Sequence, residues 1–116
     1  MAHDEDAAKT AATYFDAWLA RDFTRLRSVL AENVDFAGPL GRVRGGDDCL
    51  RGLKGLSEIV TGIQVQKVFT SGPDVLTWYD MATKVADPVP VANWMHVKDG
   101  VITTIRVAFD PRGIAG

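Results

Sequence analysis

Asp80 is the residue whose type and setting best suit chemistry. In the run Leu76-Thr-Trp-Tyr-Asp-Met-Ala82 it shares one strand face with Trp78 and Ala82, while Tyr79, Met81 and Thr83 share the other. Both faces carry apolar residues, so alternation alone leaves open which one points inward. A carboxyl on an apolar inner wall is pushed toward its neutral form by desolvation. That is the usual route to a carboxyl that gives or takes a proton near neutral pH. The competing readings are a solvated strand acid, or a structural partner of Arg106 or Tyr14. Tyr14 and Trp18 lie one turn apart on a helix face, a spacing that also fits plain core. Asn93 carries an amide that donates a hydrogen bond without any change of charge, and it also fits a satisfied polar residue at a strand end.

Other chemistry is harder to find. Cys49 sits on a helix with small neighbours and reads as buried and inert. His96 lies on the opposite strand face from Met95 and reads as sheet exterior. One Cys and two His, His3 and His96, exclude a disulfide scaffold and argue against a metal centre. Gly38-Pro-Leu-Gly41 and Gly45-Gly46 lack the Lys and the strand-to-helix setting of a phosphate loop.

The elements that must position these residues follow from periodicity. Ala7, Ala11, Tyr14 and Trp18 predict a helix from about Asp6 to Ala20, with Asp4 or Asp6 as N-cap. Asp22 caps a second, short helix through Leu26, Val29 and Leu30. Asn33 to Phe36 reads as a strand, and Gly38 to Gly46 as a loop or irregular hairpin. Asp47 or Asp48 caps a third helix, Cys49 to Ser57, in which Gly52 and Gly55 weaken the helix and admit another backbone. Strands follow at Ile63–Phe69, Val75–Val85, Val91–Val97 and Val101–Phe109, with turns at Ser71-Gly-Pro-Asp74 and Lys98-Asp-Gly100. In the last strand Val101, Thr103, Ile105, Val107 and Phe109 share a face. A hairpin symmetric about Asp87-Pro88 sets Asp80 opposite Met95 and Ala82 opposite Asn93. Asp80 and Asn93 are then diagonal neighbours. A three-residue Lys98–Gly100 loop with a bulge keeps Asn93 and Met95 on the apolar face of the last strand.

Helices first and strands later make an α+β domain spanning 1–116. The chain is long enough to bury a core unaided, with 116 residues of which 47% are hydrophobic. A net charge of −2 without basic clusters argues against nucleic acid. No run of roughly 18 apolar residues spans a membrane, and the acidic start lacks a signal peptide's apolar core. The expected location is cytoplasmic. An outward sheet face of Tyr79, Met81, Trp94 and His96 is too apolar for solvent and suggests a second copy of the chain.

The element order resembles the nuclear transport factor 2-like superfamily, which includes ketosteroid isomerases, SnoaL-like cyclases and limonene epoxide hydrolases. The resemblance is carried by Tyr14-Phe-Asp-Ala-Trp-Leu-Ala-Arg-Asp22, Leu30-Ala-Glu-Asn-Val-Asp-Phe36, Gly38-Pro-Leu-Gly41 with Gly45, and Val97-Lys-Asp-Gly-Val-Ile-Thr-Thr-Ile-Arg-Val-Ala-Phe-Asp110. It implies a curved antiparallel sheet wrapped around N-terminal helices into a cone with an apolar pocket.

The resemblance also implies roles. Tyr14 falls at the isomerase oxyanion tyrosine and Asn93 at the second oxyanion donor. The isomerase base position falls at Gly38, where no carboxylate stands. Trp78 and Asp80 are placed inward, where the hydrolases carry an Arg-x-Asp pair; Trp78 replaces that Arg, and Val107 stands near the second required Asp. Both layouts are thus incomplete. The expected cavity is formed by Tyr14, Trp18, Phe36, Trp78, Asp80, Asn93, Met95, Val107 and Phe109. The expected function is a cofactor-independent and metal-free enzyme of isomerase, cyclase or epoxide-opening type. Asp80, Tyr14 and Asn93 would act on an apolar polyketide- or terpenoid-like molecule. The alternatives are a non-catalytic ligand-binding domain and a protein-association domain.

Overall fold

The computed structural model describes residues 3–115. Three helices open the chain with a hairpin between them: α1 (His3–Leu19), α2 (Phe23–Ser28), β1 (Leu30–Gly38), β2 (Gly41–Arg44) and α3 (Gly46–Ser57). Four long strands follow, β3 (Val60–Ser71), β4 (Asp74–Thr83), β5 (Val89–Lys98) and β6 (Val101–Ala108), and a last turn of helix, α4 (Arg112–Ala115). They form one six-stranded sheet in the order β2-β1-β6-β5-β4-β3. The sheet is antiparallel except at β1–β6, which is parallel, so the all-antiparallel expectation fails at one pair. The α+β cone is the fold expected.

The buried stripe of α1 is Ala7, Ala11, Tyr14, Phe15 and Trp18, which lies against the concave face of the sheet. Asp6 falls inside this helix and does not cap it; the side chain of Asp4 lies outside the described residues. The helix ends on a left-handed residue, Arg21 at φ 57°. The Asp22 amide donates to Ala17 O and the Arg21 amide to Trp18 O, the paired closure of a Schellman motif. Glycine usually occupies that position. Here the Arg21 side chain donates to Ser57 O at 3.0 Å and ties the end of α1 to the end of α3. Asp22 then caps α2 as expected, accepting from the Arg25 amide. In α3 the cap position is Gly45, at φ 103°, and Asp47 and Asp48 lie in the first turn, where their charge suits the dipole.

Two turns determine which residues face inward. The β5–β6 turn has only two central residues, Asp99 and Gly100, both at positive φ, which suits a two-residue hairpin. The bulge lies further in: Val97 pairs with Ile102 but His96 pairs with Thr104, so Thr103 is the extra residue. Thr103 secures it by donating to His96 O. Beyond the bulge Asn93 faces Val107 and Met95 faces Ile105 on the concave side, as expected, although the loop length differs.

The β4–β5 register departs from the symmetric hairpin. Asp80 pairs with Pro90 rather than Met95, and Thr77 rather than Ala82 pairs with Asn93. The shift is five residues, an odd number, and an odd shift exchanges the faces of a strand. Its cause is the connection, which closes early through a Thr83 hydroxyl that takes the amides of Val85 and Ala86. Val75, Thr77, Tyr79 and Met81 therefore face the core, and Leu76, Trp78 and Asp80 face outward. No helix among the described residues is long and apolar enough to cross a membrane.

Candidate functional site

Between α1, α3 and the concave sheet lies an apolar cavity of about 280 Å³. This size is near the lower end for small-molecule sites. Each wall follows from an element already described. Helix α1 supplies Tyr14 and Trp18; α3 supplies Cys49, Gly52, Leu53 and Leu56. The β1–β2 hairpin supplies Phe36 and the segment from Gly38 to Val43, and the long strands supply Tyr79, Met81, Asn93 and Val107, with Phe109 just beyond β6. Gly38 lets the hairpin approach β6, since a Cβ there would meet Val107 at 3.4 Å. Gly52 does not admit a backbone as expected: a Cβ there meets nothing within 4 Å, so the missing side chain leaves open space.

Of the residues expected at the site, Tyr14, Trp18, Phe36, Asn93, Val107 and Phe109 line this cavity. Met95 shares their face but is sealed in the core at 1% exposure, packed between Val75 and Ile105 across the strands. Trp78 and Asp80 are corrections. Trp78 is 41% exposed on the convex face, and the Asp80 carboxylate accepts from Gln66 outside the cone. The dry wall that would have made Asp80 an acid or base is absent. The matching correction applies to Tyr79 and Met81, expected outside and found inside at 3% and 1% exposure. His96 is exterior as expected, with Nδ1 2.8 Å from Asp74 Oδ1.

The polar end of the cavity is neutral. Trp18 Nε1 is spent on Leu53 O at 2.8 Å, which fixes the indole as a wall. Tyr14 packs edge-on to Phe15, which packs edge-on to Tyr79, at 5.0 and 5.1 Å between ring centres. Burial pushes the Tyr79 phenol up to about 12, with the neighbouring Asn93 amide opposing the rise. Burial raises Tyr14 too, reinforced by Tyr79 and Cys49. Cys49, up to about 11 by burial, is a thiol rather than a thiolate. Asn93 is 1% exposed and its Oδ1 has no hydrogen-bond partner. The amide oxygen is thus buried without a partner at a residue that lines the cavity. No carboxylate or histidine lines the cavity among the described residues, and none of their His, Cys, Asp and Glu side chains form a group of three or more able to hold a metal. The lining can hold and polarise an oxygen-bearing group; it offers no side chain to abstract a proton at neutral pH.

Fold and cavity together define a nuclear transport factor 2-like cone with an apolar interior pocket. Within that class the chain belongs to the SnoaL-like domain family, whose profile matches residues 11–105. A solved protein from Kribbella flavida is 31% identical, with 92% of this chain and 88% of that one covered and a TM-score of 0.87. A second Kribbella flavida protein, provisionally assigned as a ketosteroid isomerase, is 20% identical over 92% of this chain and 79% of that one, TM-score 0.83. An LEH-like epoxide hydrolase from M. tuberculosis is 20% identical over 97% and 88%, TM-score 0.82. These last two share the fold. No curated protein matches the chain.

Proposed function

We propose that this domain binds an apolar small molecule through one hydroxyl-type oxygen at the inner end of the cavity. The observation that carries the reading is the unpartnered Asn93 Oδ1, buried beside the Tyr79 phenol. A buried acceptor without a partner costs about 1–3 kcal/mol. A ligand donor restores the bond, and the Tyr79 hydroxyl remains free to donate in return. The isomerase, cyclase and epoxide-opening outlines each need a proton acceptor or donor facing the substrate, and the outward position of Asp80 weighs against them. Stabilisation of an oxyanion by Tyr14, Tyr79 and Asn93 is the catalytic element this lining retains. The test is a titration with a naphthol, followed by amide NMR shifts and Trp fluorescence. Shifts concentrated at Tyr14, Trp18 and Asn93 support the reading, and shifts elsewhere or none overturn it.

A second copy is the proposed partner on the convex face. Phe69, Leu76 and Trp94 form one cross-strand row there, with Trp78 beside it, and each is more than a third exposed. Lys67, Asp80 and Arg106 are on the same face, a mixture of signs that can pair with itself across a two-fold axis.

A further inference from the structure

No charged side chain points into the cavity among the described residues. Arg42 borders it, but by its backbone. Phe36 and Val43, which line the interior, pair with each other across the β1–β2 hairpin, while Arg42 pairs with Ala37 and Arg44 with Asp35 on the alternate face. The Arg42 guanidinium lies on that outer face, its Nη2 2.9 Å from Asp35 Oδ2. The titratable groups of the lining are Tyr14 from α1, Cys49 from α3 and Tyr79 from β4, and burial keeps all three protonated at neutral pH. Strand β5 adds the Asn93 amide, whose partners across the sheet, Thr77 and Val107, carry no charge. The hairpin and β6 add only apolar side chains.

Two uses compete for such a pocket. Phenols and an amide N–H can surround an oxyanion, or they can pair with a neutral hydroxyl that also gives its own proton to an acceptor. The Asn93 oxygen separates the two, because it is a buried acceptor without a partner. An ionised oxygen has no proton to offer and would leave that acceptor unpaired. A neutral hydroxyl donates to it and still accepts from a phenol. The uncharged wall acts in the same sense, since a desolvated anion without a countercharge is driven to its neutral form.

We propose that the cavity selects its ligand by protonation state: it takes a weakly acidic, apolar hydroxyl compound of the phenol class in the neutral form and excludes the anion. The inference rests on the binding reading above and adds which form of the ligand is held and which hydrogen bond it donates. Binding is then lost as pH rises through the ligand's own ionisation.

The probe is a nitro-substituted naphthol that ionises near neutral pH and whose two forms absorb at different wavelengths. It is compared with its methyl ether, which has neither the acidity nor the proton. Calorimetric titration gives the affinities at stepped pH, and absorbance gives the form of the bound probe. The bound naphthol should keep its neutral spectrum at least about one pH unit beyond the free probe's midpoint, and its affinity should fall about tenfold for each further unit. The ether should bind about tenfold more weakly than the neutral naphthol, with an affinity independent of pH. A bound probe with the ionised spectrum, or an affinity unchanged across the midpoint, overturns the selection and spares the cavity reading, since the pocket would then hold an oxyanion. An ether whose affinity follows the same pH course also overturns it, because the protein would be the titrating partner. An ether as tight as the naphthol removes the donated bond and the proposal with it. Binding of neither probe, with no amide shift at Trp18 or Asn93, overturns both readings.

Discussion

Asn93 and Tyr79 stand diagonally across the β4–β5 pair, both buried on the concave face, and the Asn93 amide oxygen has no hydrogen-bond partner. The site therefore carries a cost in the free protein that a bound hydrogen-bond donor would relieve. Asn93→Leu removes the orphan acceptor and fills adjoining space with methyl groups. The variant should unfold at a temperature no lower than the parent's, while its affinity for a hydroxyl-bearing aromatic probe falls about tenfold. Melting curves with and without probe measure both. A clear loss of stability with binding retained would show that the amide serves the core instead.

Two glycines in α3 separate helix propensity from cavity volume. Gly52 lines the cavity and Gly55 does not, and neither has an atom within 4 Å of a built Cβ. Gly52→Ala and Gly55→Ala should each raise stability by roughly 0.5–1 kcal/mol. Only Gly52→Ala should weaken probe binding. Equal binding in the two variants would place the ligand elsewhere.

Asp80→Asn should leave ligand affinity unchanged and stability within about 0.5 kcal/mol, as for a surface position. Tyr79→Phe, one residue away and on the other face, should lower affinity about tenfold by deleting the hydroxyl. Titration of both variants with the same probe decides it; the reverse ranking would return the chemistry to Asp80.

Acid should act through Asp35. The Arg42 hydrogen bond, followed by that of Arg44, holds its carboxyl at about 2, below the ordinary 3.8, against an opposing desolvation. A depressed carboxyl stabilises the fold fully above its unfolded value and loses that contribution as pH falls through its folded one. The stability advantage over Asp35→Asn should therefore be intact above pH 3.8 and disappear as pH falls toward about 2. Denaturant unfolding of both proteins at stepped pH measures it. An advantage independent of pH across that window would mean that the ion cluster contributes nothing.

The convex row gives a prediction about size. Trp78→Glu places a charge beside Phe69, Leu76 and Trp94 without touching the cavity. Sedimentation velocity should show the parent as a dimer and the variant as a monomer, with probe affinity retained. A monomeric parent at high concentration would end the two-copy proposal.

Element identities were legible because they rest on local signals, and the cone followed from the resemblance of their order to a known superfamily. The local signals were the Ala7-Ala11-Tyr14-Trp18 stripe, the Asp22 cap and the turn glycines at Gly72 and Gly100. Most of the concave wall was legible too, Tyr14 and Asn93 through that resemblance and Val107 and Phe109 through the alternation of the last strand. What failed was a parity. Strand β4 is apolar on both sides, so nothing in its alternation distinguishes Trp78 and Asp80 from Tyr79 and Met81. The decision is made outside the strand, where the Thr83 hydroxyl closes the connection to β5 early. Cys49 was placed in the interior, but its position beside Tyr14 at the cavity required the tertiary packing of α3.

The two-faced character of β4 has an evolutionary consequence. Substitution changes a cavity one group at a time, but a one-residue insertion or deletion between Thr83 and Val89 exchanges a whole row. The interior would trade the Tyr79 phenol for the Asp80 carboxylate, Met81 for Ala82 and Thr77 for Trp78, with β3 shifting its pairing to β4. A neutral, oxygen-holding lining and an acidic, proton-moving one are thus neighbours in sequence space. On the proposed binding reading, a single length mutation would exchange an oxygen-holding lining for one that carries a carboxylate.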